Sequence, residues 1–226
     1  MTGSGRIELA DARAFLRAQE PGCAAAIVID PPYSRGTPMR GREDGAAGSV
    51  ARPWKMLREV LELCVPLLIM PREPYTKPAH KGDPVGIVVM FTDWDLLGDL
   101  EDMACSAGLR EQARLAWCRT RSGGGAMFRS AADPVLIASR ISPRPVDHRY
   151  HAPNWFIADH ELPRAHPYSK PVPLLEYILG RVVRRGDTIL DPFAGSGSSR
   201  VAAENLKLDL VWKGADIDPR YAEADP

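Results

Sequence analysis

Thr188-Ile189-Leu190-Asp191-Pro192-Phe193-Ala194-Gly195-Ser196-Gly197-Ser198 is the stretch whose reading decides the fold. A short strand ends in an acid and a proline, two glycines follow, and a helix is predicted from about Ser199. Glycines at 195 and 197 let the backbone approach a ligand closely, as nucleotide-binding loops do at the carboxyl end of a strand. The third glycine of the dinucleotide fingerprint is missing, and no Lys-Ser or Lys-Thr follows as a phosphate-binding loop requires. A nucleoside without a pyrophosphate fits better. Further on, Leu210 to Trp212 and Lys213-Gly214-Ala215-Asp216-Ile217-Asp218 give another short strand ending in an acid. At that place in a doubly wound sheet an acid accepts hydrogen bonds from ribose hydroxyls. Taken singly, Asp191 could cap a helix and Asp216 could be a turn residue before Pro219. The order strand, glycine loop, helix, strand, acid favours the nucleoside site.

A second motif, Asp30-Pro31-Pro32-Tyr33, ends the apolar run Ala24 to Ile29. Each proline fixes its own φ and bars the residue before it from helical geometry, so a carboxylate and a carbonyl are held extended at a strand tip. Two fixed acceptors beside an aromatic ring suit a planar exocyclic amine. The lone pair of such an amine is delocalised into the base, and acceptors that hold both protons favour the pyramidal form that attacks. Tyr33 would stack on the base. As a tetrapeptide alone it is weak evidence, since Pro-Pro after a strand is also an ordinary turn.

Together with His166-Pro167-Tyr168-Ser169-Lys170-Pro171, these motifs resemble those of S-adenosylmethionine-dependent DNA amino-methyltransferases. The catalytic motif precedes the cofactor loop, which resembles the β class, whose common methyltransferase sheet is circularly permuted. The resemblance runs from about Arg6 to Tyr221, loosely in the middle third. It implies Asp30, Pro31, Pro32 and Tyr33 as catalytic. It also implies Lys170, Asp191, Phe193, Ala194, Gly195, Ser196, Gly197, Ser198, Asp216 and Ile217 around S-adenosylmethionine, with S-adenosylhomocysteine as product. Ser198 stands where the family usually has Thr, and Asp216 where Glu is commoner. The strand after that acid is expected from Arg6 to Ala10. Asp11 is then either near the cofactor's adenine, as the resemblance implies, or the N-cap of a helix over 12–18.

Length and composition agree. With 226 residues and 45% apolar content, the chain can bury an α/β core without disulfides or metals. Cysteines 23, 64, 105 and 118 lack metal-ligand spacing and are expected as buried thiols in a reducing cytosol. No metal site is expected from His148, His151 and His160, which have no cysteines among them. No apolar run is as long as a membrane span and no signal peptide is visible, so a cytoplasmic protein is expected. Net charge is zero, but residues 34–60 carry six basic side chains against three acids, and residues 119–150 six against two. Arg35, Arg40, Arg42 and Arg121 are expected to hold DNA phosphates while a base is flipped out; the alternative is that these loops only keep the protein soluble.

Alternating patterns predict one α/β domain over 1–226, a Rossmann-like, mostly parallel seven-stranded sheet with helices on both faces. Strands are expected at 6–10, 24–30, 85–91, 113–118, 134–138, 187–191 and 209–213. Helices are expected at 12–18, 54–67, 94–106, 172–183 and 198–206, with Trp54, Leu57, Leu61 and Val65 facing the core. A basic loop at 34–53 and an irregular stretch at 139–168, the place of a target-recognition region, are insertions. The expected reaction is methyl transfer to a flipped base in DNA. Family resemblance favours adenine N6, because cytosine enzymes more often have Ser at position 30. Cytosine N4, an RNA or protein glutamine acceptor, and a catalytically silent nucleic-acid-binding protein are the alternatives; self-association as a homodimer is left open.

Overall fold

The first and last of the described strands lie side by side. In the computed structural model, which describes residues 5–31, 54–71, 85–123, 127–142, 152–159 and 169–222, β1 (Ile7–Leu9) runs parallel to β8 (Val211–Asp216), Leu9 opposite Asp216. The expectation that the segment from Arg6 supplies the strand after the acid therefore holds. The other strands are β2 (Ala24–Ile29), β3 (Ile87–Phe91), β4 (Arg110–Cys118), β5 (Ala132–Ser139), β6 (Trp155–Ile157) and β7 (Thr188–Asp191). They form one sheet in the order β1-β8-β7-β2-β3-β5-β4-β6. Among the described strands only β5 runs against the rest, pairing antiparallel with both β3 and β4.

Two apolar layers enclose this sheet. On one face α1 (Ala12–Arg17), α2 (Trp54–Cys64) and α3 (Leu97–Ser106) pack Phe15, Leu61 and Leu100 against Ile27, Ile29 and Met90. On the other, α4 (Val172–Leu179) and α5 (Ser198–Asn205) pack Leu174, Ile178 and Ala202 against Val28, Val89 and Ile189. All six residues of β2 are buried, as expected for a central parallel strand covered by helices on both sides. Burial of a Leu, Ile or Phe side chain stabilises by about 1.5–3 kcal/mol, so this strand is anchored from both faces. A short helix, α6 (Pro219–Ala222), follows β8.

Several expectations need correction. The sheet has an eighth strand, β6, inside the stretch expected to be irregular. Three residues are too few for a period-2 pattern to register, and β6 is defined by pairing with β4. The buried stripe of α2 is Leu57, Val60, Leu61 and Cys64; Val65 begins a separate 3-10 turn and is only partly buried. The side chain of Trp54 lies outside the described residues. All four cysteines are free, but Cys64 alone is fully buried and Cys105 is exposed. Among the described residues no helix is long and apolar enough to cross a membrane, and no cluster of metal-ligating side chains occurs.

Candidate active site

The sheet reverses its winding between β7 and β2. The connection leaving β7 passes through α5 on one face to β8, and that leaving β2 passes through α2 on the other face to β3. Ligands of open α/β sheets bind in the crevice that such a reversal opens at the carboxyl ends of the strands. Here the crevice is flanked by Asp30, which follows β2, and by the glycine loop after β7.

Asp30 is fixed by a residue far away in sequence. Lys170 Nζ lies 2.5 Å from Asp30 Oδ2, and the two side chains retain only 10% and 23% exposure. The same ammonium lies 5.2 Å from the ring centroid of Phe91, the last residue of β3. Lys170 reaches this point because it precedes α4, whose extended N-cap Pro171 directs the chain onto the sheet. Pro31 is buried beside Asp30. The expected catalytic residues Pro32 and Tyr33 lie outside the described residues, as do His166 to Tyr168 and Arg35, Arg40 and Arg42. Arg121 is described and exposed, beside Asp159.

The glycine loop is built on buried hydrogen bonds. Asp191 accepts from the Phe193 N–H at 3.0 Å and from the Ser199 hydroxyl, and Trp212 Nε1 donates to Ser199 Oγ at 3.0 Å. Burial pushes the Asp191 carboxyl up to about 7; the bonds from Ser199 and Phe193 oppose this, and the nearby Asp30 and Asp216 add to it. Asp191 thus faces inward and shapes the loop. Gly195 and Gly197 have φ of +49° and +79°, the left-handed region that suits glycine. Gly197 is the N-cap of α5. Ala194 N–H bonds to the Ala215 carbonyl at 2.9 Å, tying the loop to β8. Ser196 and Ser198 hydroxyls lie 3.3 Å apart at the mouth of the helix.

Asp216 closes the other side. Its Oδ2 accepts from Gly195 N–H and its Oδ1 from Asp218 N–H, each at 2.8 Å. Next to it Ile217 is 68% exposed, a large apolar side chain left facing solvent at the rim. Phe193 is partly buried. Asp11 takes the capping role: it accepts from Arg13 N–H at 2.9 Å as N-cap of α1, and its carboxylate is held below the usual range by the Arg13 guanidinium. Arg13 also reaches Glu59 of α2 at 3.0 Å.

Sequence reasoning missed Ser199, Trp212 and the contact of Lys170 with Asp30. The one available signal was Gly214: a Cβ there would lie 2.3 Å from the Trp212 ring, so the indole crosses β8 only because position 214 has no side chain.

A DNA methylase family, N6_N4_Mtase, matches residues 117–224. A 56-residue stretch is 43% identical to the Type II methyltransferase M2.DpnII of Streptococcus pneumoniae, covering 25% of this chain and 20% of that protein's length. Among solved structures, M1.HpyAVI in complex with S-adenosylmethionine aligns at a TM-score of 0.65 and 18% identity over 96% of both chains. A putative DNA modification methylase of Thermus thermophilus, also complexed with S-adenosyl-L-methionine, aligns at 0.68 and 18% identity over 97% of this chain and 90% of its own. The cytosine-N4-specific PvuII DNA methyltransferase aligns at 0.71 and 14% identity over 96% and 83%. At these identities the structural likenesses show the fold. The family match, over somewhat under half of the chain, and the motif order make this chain similar to the S-adenosylmethionine-dependent DNA amino-methyltransferases, the N6-adenine/N4-cytosine family.

Proposed function

We propose that this chain methylates the exocyclic amine of a flipped base in DNA, N6 of adenine, from S-adenosylmethionine. The observation that carries the reading is Asp30, held by Lys170 on the strand adjacent to the glycine loop. With Oδ2 engaged by Lys170, Oδ1 and the Pro31 carbonyl are the acceptors for the two amine protons. Asp30 or water then takes the proton released, and the fixed acceptors stabilise positive charge at the nitrogen.

The residues present fit the cofactor. Asp30, paired with Lys170, and Asp216, which accepts from Gly195 N–H, place a carboxylate on each side of the crevice, which suits a positively charged sulfonium ligand. Phe193 to Ser198 would hold it by close backbone approach, Asp216 would receive the ribose hydroxyls, and exposed Ile217 would cover the adenine. Bound there, the cofactor supplies a methyl group already activated by positive charge. Aligning acceptor and donor is the protein's main contribution.

Arg121 and the basic segment at 34–53 would hold phosphates, Tyr33 would stack on the base, and 139–168 would contribute to target reading. Asp at position 30 supports adenine over cytosine by family resemblance. DNA incubated with a radiolabelled methyl donor and digested to nucleosides tests the reading, the expected label lying in N6-methyldeoxyadenosine. Label in N4-methyldeoxycytidine moves the acceptor to cytosine, and no label on any DNA contradicts the reaction.

A further inference from the structure

The hairpin joining β4 to β5 leaves the sheet at the same end as Asp30: Phe91, the last residue of β3, pairs with Val135, and Cys118 pairs with Ala132 further in the same direction. Its base is strapped on both sides. Toward β6, Thr120 bonds to Asp159 through its N–H, at 2.9 Å, and through its hydroxyl. Toward β3, Trp94 Nε1 donates to the Ala132 carbonyl at 2.8 Å. Within the hairpin, Arg119 pairs with Asp133 and lies 5.3 Å from the Trp117 ring centroid, and Gly123 N–H bonds to the Ser130 carbonyl at 2.6 Å. These bonds hold the base in one orientation relative to the catalytic strand.

The loop carried on this base, between Gly123 and Ser130, is unusual. Met127 and Phe128 are 87% and 85% exposed, neighbours in sequence that contribute no burial to the core. Exposed Arg121 and Arg129 lie on either side of them in sequence; the acids near the hairpin are at its base, Asp133 paired with Arg119 and Asp159 beside Arg121. Positive charge around two bare apolar side chains suits a polyanion whose interior is a stack of apolar rings. Proteins that open such stacks insert Phe, Leu, Ile or Met between base steps and anchor the flanking phosphates with arginine.

We propose that Met127 and Phe128 form a wedge that enters the duplex beside the target base and holds open the gap left when that base turns toward Asp30. This rests on the DNA-methylation reading above and deepens it by naming the residues that do the unstacking. They are positioning residues, acting through the DNA.

The test is single-turnover methylation by the full chain, once its methylated site has been mapped on plasmid DNA. Phe128→Ala and the double variant Met127→Ala/Phe128→Ala are compared with wild type on a matched duplex and on one carrying a mismatch at the target base. A mismatched base is easier to unstack than a paired one, so the variants should lose roughly tenfold or more on the matched duplex and regain most of it on the mismatch. Phe128→Leu, still an apolar wedge, should keep most of the wild-type rate. Both side chains are exposed, so thermal stability should not change. An unchanged rate on the matched duplex, or an equal loss on both substrates, overturns the wedge. A wild-type protein that methylates no DNA overturns the reading beneath it.

Discussion

Lys170 Nζ stands 2.5 Å from Asp30 Oδ2 across 140 residues of sequence, joining the segment before α4 to the end of β2. The family resemblance assigns Lys170 to the cofactor region, but the geometry puts its charge on the proposed acceptor of the amine protons. A carboxylate on a strand tip would otherwise rotate among rotamers; an ion pair of low exposure selects one.

Lys170→Met should therefore lower the single-turnover methylation rate by roughly tenfold to a hundredfold while changing cofactor affinity little, because it disturbs a positioned acceptor rather than the glycine loop. Lys170→Arg keeps the charge on a differently shaped group and should fall between. Calorimetry alongside the kinetics separates the roles. A large loss of cofactor affinity with an unchanged rate at saturation would place Lys170 on the cofactor instead.

Asp191 gives a pH prediction with a definite sign. Its folded value is about 7 against an ordinary 3.8, so between those values the folded protein holds a proton that the unfolded chain has released. The associated stability is fully present below about pH 4 and is lost as pH rises through 7. The upper bound is about 4 kcal/mol, since each tenfold change in proton affinity is worth about 1.4 kcal/mol. Thermal melts of wild type should show a Tm that falls from pH 5 to pH 8. Asp191→Asn, which cannot ionise, should show a flatter profile over that range, and identical profiles would contradict the linkage.

Gly195 and Gly214 separate two uses of glycine. Gly195→Leu forces a side chain into the left-handed region, at a cost on the order of 1–2 kcal/mol, and projects it toward the nucleoside cradle. Cofactor binding should disappear in a protein that still folds and still binds DNA. Gly214→Ala should instead displace Trp212 and break its bond to Ser199, lowering stability first. Melting curves and calorimetry on both variants check the contrast.

Much of this was legible because β2 is wholly apolar and followed directly by Asp30, and the apolar pair Ile189-Leu190 of β7 leads straight into Asp191, so pattern and position coincide. The pairing of β1 with β8 also matches the expectation for the segment from Arg6. β6 was hidden by its length, and its pairing with β4 depends on chain folded far from it in sequence. Lys170 was legible as part of a motif but not as the partner of Asp30, because an ion pair over such a separation leaves no spacing to read. Asp11 had two readings, and its bond to Arg13, with Arg13 reaching Glu59, supports the cap. Ser199 looked like one more small polar residue until Trp212 crossed Gly214 to meet it.

The basic segment after the proposed catalytic motif makes an electrostatic prediction from sequence alone. Changing Arg35, Arg40 and Arg42 to Gln should weaken DNA binding and reduce the slope of log affinity against log salt by up to about 0.9 for each phosphate no longer neutralised. Fluorescence anisotropy across a salt series measures it. An unchanged slope would mean that these arginines face solvent.

The most direct measurement is single-turnover methylation of DNA by wild type and Asp30→Ala, with cofactor affinity determined in parallel on both. If Asp30 accepts the amine protons, the variant should bind S-adenosylmethionine nearly as wild type does and transfer its methyl group roughly a hundredfold more slowly or worse. An Asp30→Ala protein that methylates DNA at the wild-type rate would contradict the account, since the acid that Lys170 holds would then have no part in the chemistry.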